Sequence, residues 1–106
     1  TMTRELLAFY VTFPDQETAN NICDILIRER LIACSNLLSI EAAYWWKGSV
    51  QQENESLALI KTSNHLKEQI IARIEQIHPY EVPCIVHWPI QANESYRDWI
   101  INSVKD

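Results

Sequence analysis

"ACSNLLSIEAAYWWKGSVQQENESLALIKTS", residues 33–63, reads as two extended segments folded back on each other. In 33–48 the even positions are Cys34, Asn36, Leu38, Ile40, Ala42, Tyr44 and Trp46, a mostly apolar face with the period of two that a strand imposes. The odd face carries Ser35, Leu37, Ser39, Glu41, Ala43 and Trp45. Lys47-Gly48-Ser49 is a turn signal around the chain's one glycine, and residues 50–63 return as a strand, polar first and apolar later. About fourteen extended residues span roughly 46 Å, whereas a compact domain of about 100 residues is only about 35 Å across. The hairpin should therefore overhang the domain or bend at a bulge. Tyr44, Trp45 and Trp46 would sit at its tip. Exposed aromatics in such a row mark an interface, and edge-to-edge strand addition to a neighbouring subunit suits the arm. The competing reading has these rings covering the domain's own core.

Before the hairpin, "ELLAFYVTF" (5–13) is an apolar run rich in β-formers and predicts a buried strand. Asp15 then caps a helix with Glu17 in its first turn and Ala19, Ile22, Cys23 and Leu26 at helical spacing. After the hairpin, "SNHLKEQIIARIEQIH" (63–78) is amphipathic through Leu66, Ile70, Ile74 and Ile77, with Ser63 or Asn64 as cap and Pro79 as stop. "CIVHWPI" (84–90) predicts a fourth strand, and Asn93 caps a last helix with Tyr96, Trp99, Ile100, Ser103 and Val104 on one side. The order β-α-β-β-α-β-α predicts an α+β, ferredoxin-like split βαβ domain over 1–106. Its sheet is antiparallel, its two main helices share one face, and a C-terminal helix is added. A doubly wound sheet fits less well, because strands two and three form a hairpin.

One domain suits 106 residues, and 47% hydrophobic content suffices for a single core. A net charge of -5, with 9 scattered Lys and Arg, argues against nucleic acid or anionic membrane as a partner and permits attraction of cations. No apolar run approaches the roughly 18 residues of a membrane span, and no signal peptide is evident. Thr1 before Met2 reads as a cloning remnant, with Met2 the natural start. Cys23, Cys34 and Cys84 are odd in number and widely spaced, which predicts reduced thiols in a cytoplasmic protein. One glycine excludes Gly-rich phosphate loops. No nucleophile elbow, Ser-His-Asp set or Cys-His set is present. The acidic "TFPDQE" after strand one would repel phosphate where acylphosphatases of this fold class hold it with an arginine.

"IHPYEVPCIVHWPI" (77–90) carries two of the three histidines and three of the four prolines. His78 ends a helix, so its imidazole is expected to point into a cleft, where it could ligate copper, zinc or nickel. Glu81 could add a carboxylate, and Tyr80 could hydrogen-bond either. Such a set is thin beside the three or four ligands of a tight site, although an oligomer could add ligands from a second chain. The alternative is a rigid connector whose His78 and Glu81 make interface hydrogen bonds. Cys34 is the best soft-ligand candidate among the thiols, or else a small packed residue. His65 is expected on the solvated surface, and His87 on an exposed or interfacial strand face. Lys61, in an apolar strand, needs a partner or an exit to water: an anion in an inter-subunit cleft, or a salt bridge with Glu81 or Glu41.

"TFPD" (12–15), "RERLIAC-N" (28–36), "YWWKG" (44–48), "E-ESLALIKT" (53–62), "IHPYEVPCIV" (77–86) and "YRDWI" (96–100) together resemble the CutA family, the divalent-cation-tolerance proteins, in register over about residues 7–104. The resemblance implies a ferredoxin-like subunit and a tight homotrimer built by the long hairpins. It also implies tolerance of copper and other divalent metals without turnover chemistry, copper or another divalent cation as the bound group, and no organic cofactor. Members assigned copper ligands carry a cysteine before the T-x-P-D stretch and a histidine before the one preceding proline. Val11 and Ile77 stand there in this chain, so only His78 is retained. The fold and trimer are also similar to the PII signalling proteins. That implies the alternative of a small effector or partner protein held in inter-subunit clefts lined by Tyr80, Glu81, Lys61 and the tip aromatics. The sequence specifies no heterologous protein partner.

Overall fold

The computed structural model describes residues 4–106; the reading of Thr1 and Met2 lies outside them. The elements run β1 (Leu6–Phe13), α1 (Gln16–Arg28), β2 (Cys34–Trp46), β3 (Ser49–Ser63), a 3-10 turn (Asn64–Leu66), α2 (Lys67–Ile77), β4 (Ile85–Ile90) and α3 (Glu94–Ser103). The strands form one antiparallel sheet in the order β2-β3-β1-β4. This is the ferredoxin-like α+β arrangement that the element order predicts.

Alternation divides the sheet into two faces. Leu7, Phe9, Val11 and Phe13 of β1, with Ala58 and Ile60 of β3, bury themselves against Ala19, Ile22, Cys23 and Leu26 of α1 and against Ile70 and Ile74 of α2. Cys23 is thus a core residue. The opposite face carries the other parity. Tyr96 of α3 reaches across one end of it, with its hydroxyl 3.5 Å from the Cys34 Sγ and its ring under the Lys61 Nζ. The rest of this face leaves Leu38, Val86 and Trp88 exposed at 46%, 51% and 39%.

Local chemistry sets the boundaries. The Asp15 side chain accepts the Thr18 N–H at 2.7 Å and starts α1. Ser63 and Asn93 occupy the N-cap positions of the 3-10 turn and of α3, but neither side chain makes the capping hydrogen bond. The Ser63 hydroxyl is paired with His65 Nδ1 at 2.7 Å, so the chain enters α2 through the 3-10 turn, and the Asn93 amide donates to the Ser95 hydroxyl. His65 is exposed, as expected, but its other ring nitrogen meets the Lys105 carbonyl oxygen. At the end of α2, His78 adopts ψ 139, the extended conformation that a following proline imposes.

The hairpin overhangs. β1 pairs with β3 only as far as Phe13↔Ser56, whereas β2 and β3 continue for seven more pairs, Ile40↔Glu55 to Trp46↔Ser49. The molecule measures 51 × 23 × 21 Å in consequence. Lys47 and Gly48 both take positive φ, 49° and 83°, the left-handed pair of a tight two-residue hairpin turn. Tyr44, Trp45 and Trp46 are exposed at 37%, 74% and 37%, so they do not cover the chain's own core.

Candidate functional site

Where the arm leaves the sheet, it faces the loop that follows α2. Between them lies a groove of about 910 Å³. Pro79–Val82 and Cys84 form one wall, and Ile40–Trp46 with Glu53 and Glu55 form the other. The loop is held there by His78. Its Nε2 lies 2.8 Å from the Thr12 carbonyl oxygen, which can only accept, so Nε2 carries the proton. The Tyr80 N–H donates to Nδ1 at 3.1 Å. The ring stacks on Phe13, with centroids 4.9 Å apart at 21°, and is only 8% exposed. Burial lowers the His78 pKa, partly opposed by the hydrogen bond to Thr12 and the charge of Glu55, so the imidazole is neutral.

Two tyrosines arm the groove. The Tyr80 hydroxyl donates to Glu55 Oε2 at 2.6 Å, and the Tyr44 hydroxyl donates to Glu53 Oε2 at 2.9 Å. Burial, and then the Glu55 carboxylate, push the Tyr80 phenol far above its usual range. The hydrogen bond to Glu53 raises that of Tyr44. Both hydroxyls therefore remain donors that orient carboxylates. Glu41 and Glu81 also border the groove, and no Lys, Arg or His lines it.

The expected metal residues are not brought together. The His78 ring points not into an open cleft but against Phe13 and β1, because the extended turn at Pro79 swings it beneath the loop. Glu81 is exposed at the groove. Cys34 pairs with Lys61, opposite Ala8 of β1, about 13 Å along the sheet from Thr12. Among the described residues no group of three His, Cys, Asp or Glu is placed to hold a metal ion. Of the expected cleft residues, Tyr44, Trp45, Trp46 and Tyr80 all border one groove within the chain, Trp45 from the strand face opposite Tyr44 and Trp46. Lys61 is elsewhere: its ammonium stands 5.5 Å from the Tyr96 ring centroid, and it forms no salt bridge with Glu81 or Glu41.

The CutA1 divalent ion tolerance protein family matches residues 7–103. This chain belongs to the CutA family. It is 41% identical over 101 residues to the divalent-cation tolerance protein CutA of Pyrococcus horikoshii, covering 94% of this chain and 99% of that one. The crystal structure of CutA1 from Oryza sativa superposes with a TM-score of 0.94 at 34% identity, over 100% of this chain and 99% of the other. A CutA from Archaeoglobus fulgidus, described as a periplasmic divalent cation tolerance protein, superposes at 0.91 with 29% identity over 94% and 99% of the two chains. Among the described residues no helix is long and apolar enough to cross a membrane.

Glu53 and Glu55 were missed as site residues of this CutA chain, although their spacing of two places both on one strand face. Tyr96 was missed as the partner of Cys34, and no spacing signal joins positions 62 residues apart.

Proposed function

We propose that this CutA-family chain works as a homotrimeric divalent-cation-tolerance protein without turnover chemistry, assembled through its hairpin arms. The observation that carries the reading is the ribbon of seven strand pairs projecting beyond the sheet with an exposed aromatic tip. A two-stranded ribbon is marginal alone, so a neighbouring copy is the support that such an arm needs. Leu38, Val86 and Trp88 on the sheet face free of the main helices give that copy an apolar surface. Divalent cations, copper among them, bind weakly through one or two groove carboxylates, Glu81 and Glu53, while His78 holds the wall behind them. Three unpaired cysteines favour a reducing, cytoplasmic setting.

The test joins light scattering with calorimetric titration of Cu(II) and Zn(II). The native protein is expected to have the mass of a trimer, and Trp45→Glu with Trp46→Glu to shift it toward a single chain. Weak metal binding should fall in Glu81→Gln and persist in His78→Ala. A monomer at micromolar concentration overturns the assembly, and metal binding untouched by Glu81→Gln and Glu53→Gln overturns the assignment to carboxylates. The PII-like alternative, a small effector or partner protein in clefts between subunits, draws support from the size of the groove, which falls in the range of small-molecule sites.

A further inference from the structure

The way the C-terminal helix is attached makes it a movable part, and we propose that α3 is a lid, latched by the residues that follow it, which controls access to the Cys34 thiol. Of the ten residues of α3 only Ile100 is buried. The helix has no side-chain N-cap bond and no basic residue in its last turn. Near its start, the Tyr96 hydroxyl stands 3.5 Å from the Cys34 Sγ, and the Lys61 Nζ stands 5.5 Å from the Tyr96 ring centroid. Cys34 and Lys61 are direct cross-strand partners, and Lys61 opposes Ala8 on its other side. Thiol and ammonium therefore sit together under Tyr96, at the end of the sheet remote from the arm. None of the three lines the groove.

Beyond the helix the chain passes from one face of the sheet to the other. Tyr96 lies on the face free of the main helices, whereas Val104 is buried in the core that α1 and α2 cover. Three hydrogen bonds fasten this tail. The Lys105 N–H donates to the Arg30 carbonyl oxygen at 2.9 Å, and the Arg30 guanidinium donates to the Ser103 carbonyl oxygen at 3.1 Å. His65 Nε2 lies 2.9 Å from the Lys105 carbonyl oxygen, which can only accept, so Nε2 carries the proton. Nδ1 then accepts from the buried Ser63 hydroxyl at 2.7 Å, which fixes the ring in one tautomer and one orientation. Arg30 takes φ 62°, in the left-handed region that favours glycine, and serves the tail with both its carbonyl and its side chain. A helix with one buried residue opens at lower free energy than the core, and here the latch sets how much lower. When the tail lets go, Tyr96 withdraws and the Cys34 sulfur meets solvent. Cys23 faces the core and Cys84 borders the groove, so Cys34 is the thiol that this lid governs.

The experiment is alkylation of the native protein by iodoacetamide at neutral pH, with each cysteine followed separately by peptide mass spectrometry. The sulfur displaces iodide, and the thiol proton passes to water. Cys34 is expected to react more slowly in the native protein than in the urea-unfolded chain. His65→Ala and Arg30→Gly each remove one fastening and should speed Cys34 about tenfold, as the loss of one hydrogen bond predicts. Cys23, 2% exposed in the core, should stay protected. Arg30→Gly also relieves the left-handed backbone, so it loosens the tail without straining the fold, and it keeps the test valid if His65→Ala disturbs folding through the unpaired Ser63 hydroxyl. Hydrogen exchange should quicken in α3 and not in α2. Unchanged Cys34 reactivity in both variants overturns the lid. So does a joint rise at Cys34 and Cys23, which would make the fastenings part of global stability.

Discussion

His78 is the side chain whose role the structure changes most, and its replacement by alanine has a calculable outcome. The substitution removes the donor that satisfies the Thr12 carbonyl and the acceptor that satisfies the Tyr80 N–H. Each buried partner left unpaired costs about 1–3 kcal/mol. Loss of the ring stacked on Phe13 adds about 1 kcal/mol. Water from the adjoining groove can reach the Tyr80 amide and repair part of the loss, so the net cost should be about 3 kcal/mol. The assay is urea unfolding at one fixed protein concentration, which holds the contribution of the proposed assembly constant. The midpoint should fall with the slope unchanged. The sign with pH follows from the lowered pKa. The folded protein resists protonating a ring that the unfolded chain protonates near 6.5, so the neutral clamp contributes fully above that value. Its contribution declines as pH falls below 6.5 toward the folded pKa. The stability gap between native protein and His78→Gln should therefore narrow on acidification. Unchanged unfolding of His78→Ala, together with lost metal binding, would refute the clamp.

Three further outcomes follow from other contacts. Tyr80→Phe removes the hydroxyl donor of Glu55, which is only 8% exposed, and should cost about 1–3 kcal/mol in thermal or urea unfolding at pH 7. Gly48→Val forces a β-branched residue to φ 83°. An added Cβ meets nothing within 4 Å, so the cost is conformational, about 1–2 kcal/mol, and should appear as faster hydrogen exchange at the arm tip before the core responds. Asp15→Ala should lower the melting temperature at neutral pH. The Thr18 N–H lowers the Asp15 pKa below 3.8, so the cap acts above that value, and the difference should vanish as pH falls through the folded pKa.

The architecture was legible because its signals are local. Alternation in 33–46, the glycine at the turn, Asp15 as cap and the stop at Pro79 each need only a few neighbouring residues, and all appear in the structure. The overhang followed from comparing strand length with domain size. The site was less legible because its contacts are distant. Where the His78 ring points is decided by a carbonyl 66 residues away on β1, and no periodicity encodes that distance. For Lys61 the sequence allowed an anion in an inter-subunit cleft, a salt bridge with Glu81 or Glu41, or an exit to water, because a lysine in an apolar strand needs one of these. The partner is the ring of Tyr96, from a helix whose packing the sequence left unspecified. Ser63 and Asn93 stand at N-cap positions but make no side-chain cap bond for a related reason: each side chain has a competing partner two residues on.

The groove joins two parts of the molecule that differ in how they are supported. Tyr80 stands on a loop pinned to β1 through His78, so its position is set by the core. Glu53 and Tyr44 stand on the projecting ribbon, whose order depends on what packs against it. Glu55 lies at the first pair beyond the sheet and ties the two together through its 2.6 Å bond to Tyr80. Any ligand of the groove would contact both the fixed wall and the arm, and by linkage it would favour the ordered arm to the degree that the ordered arm favours the ligand.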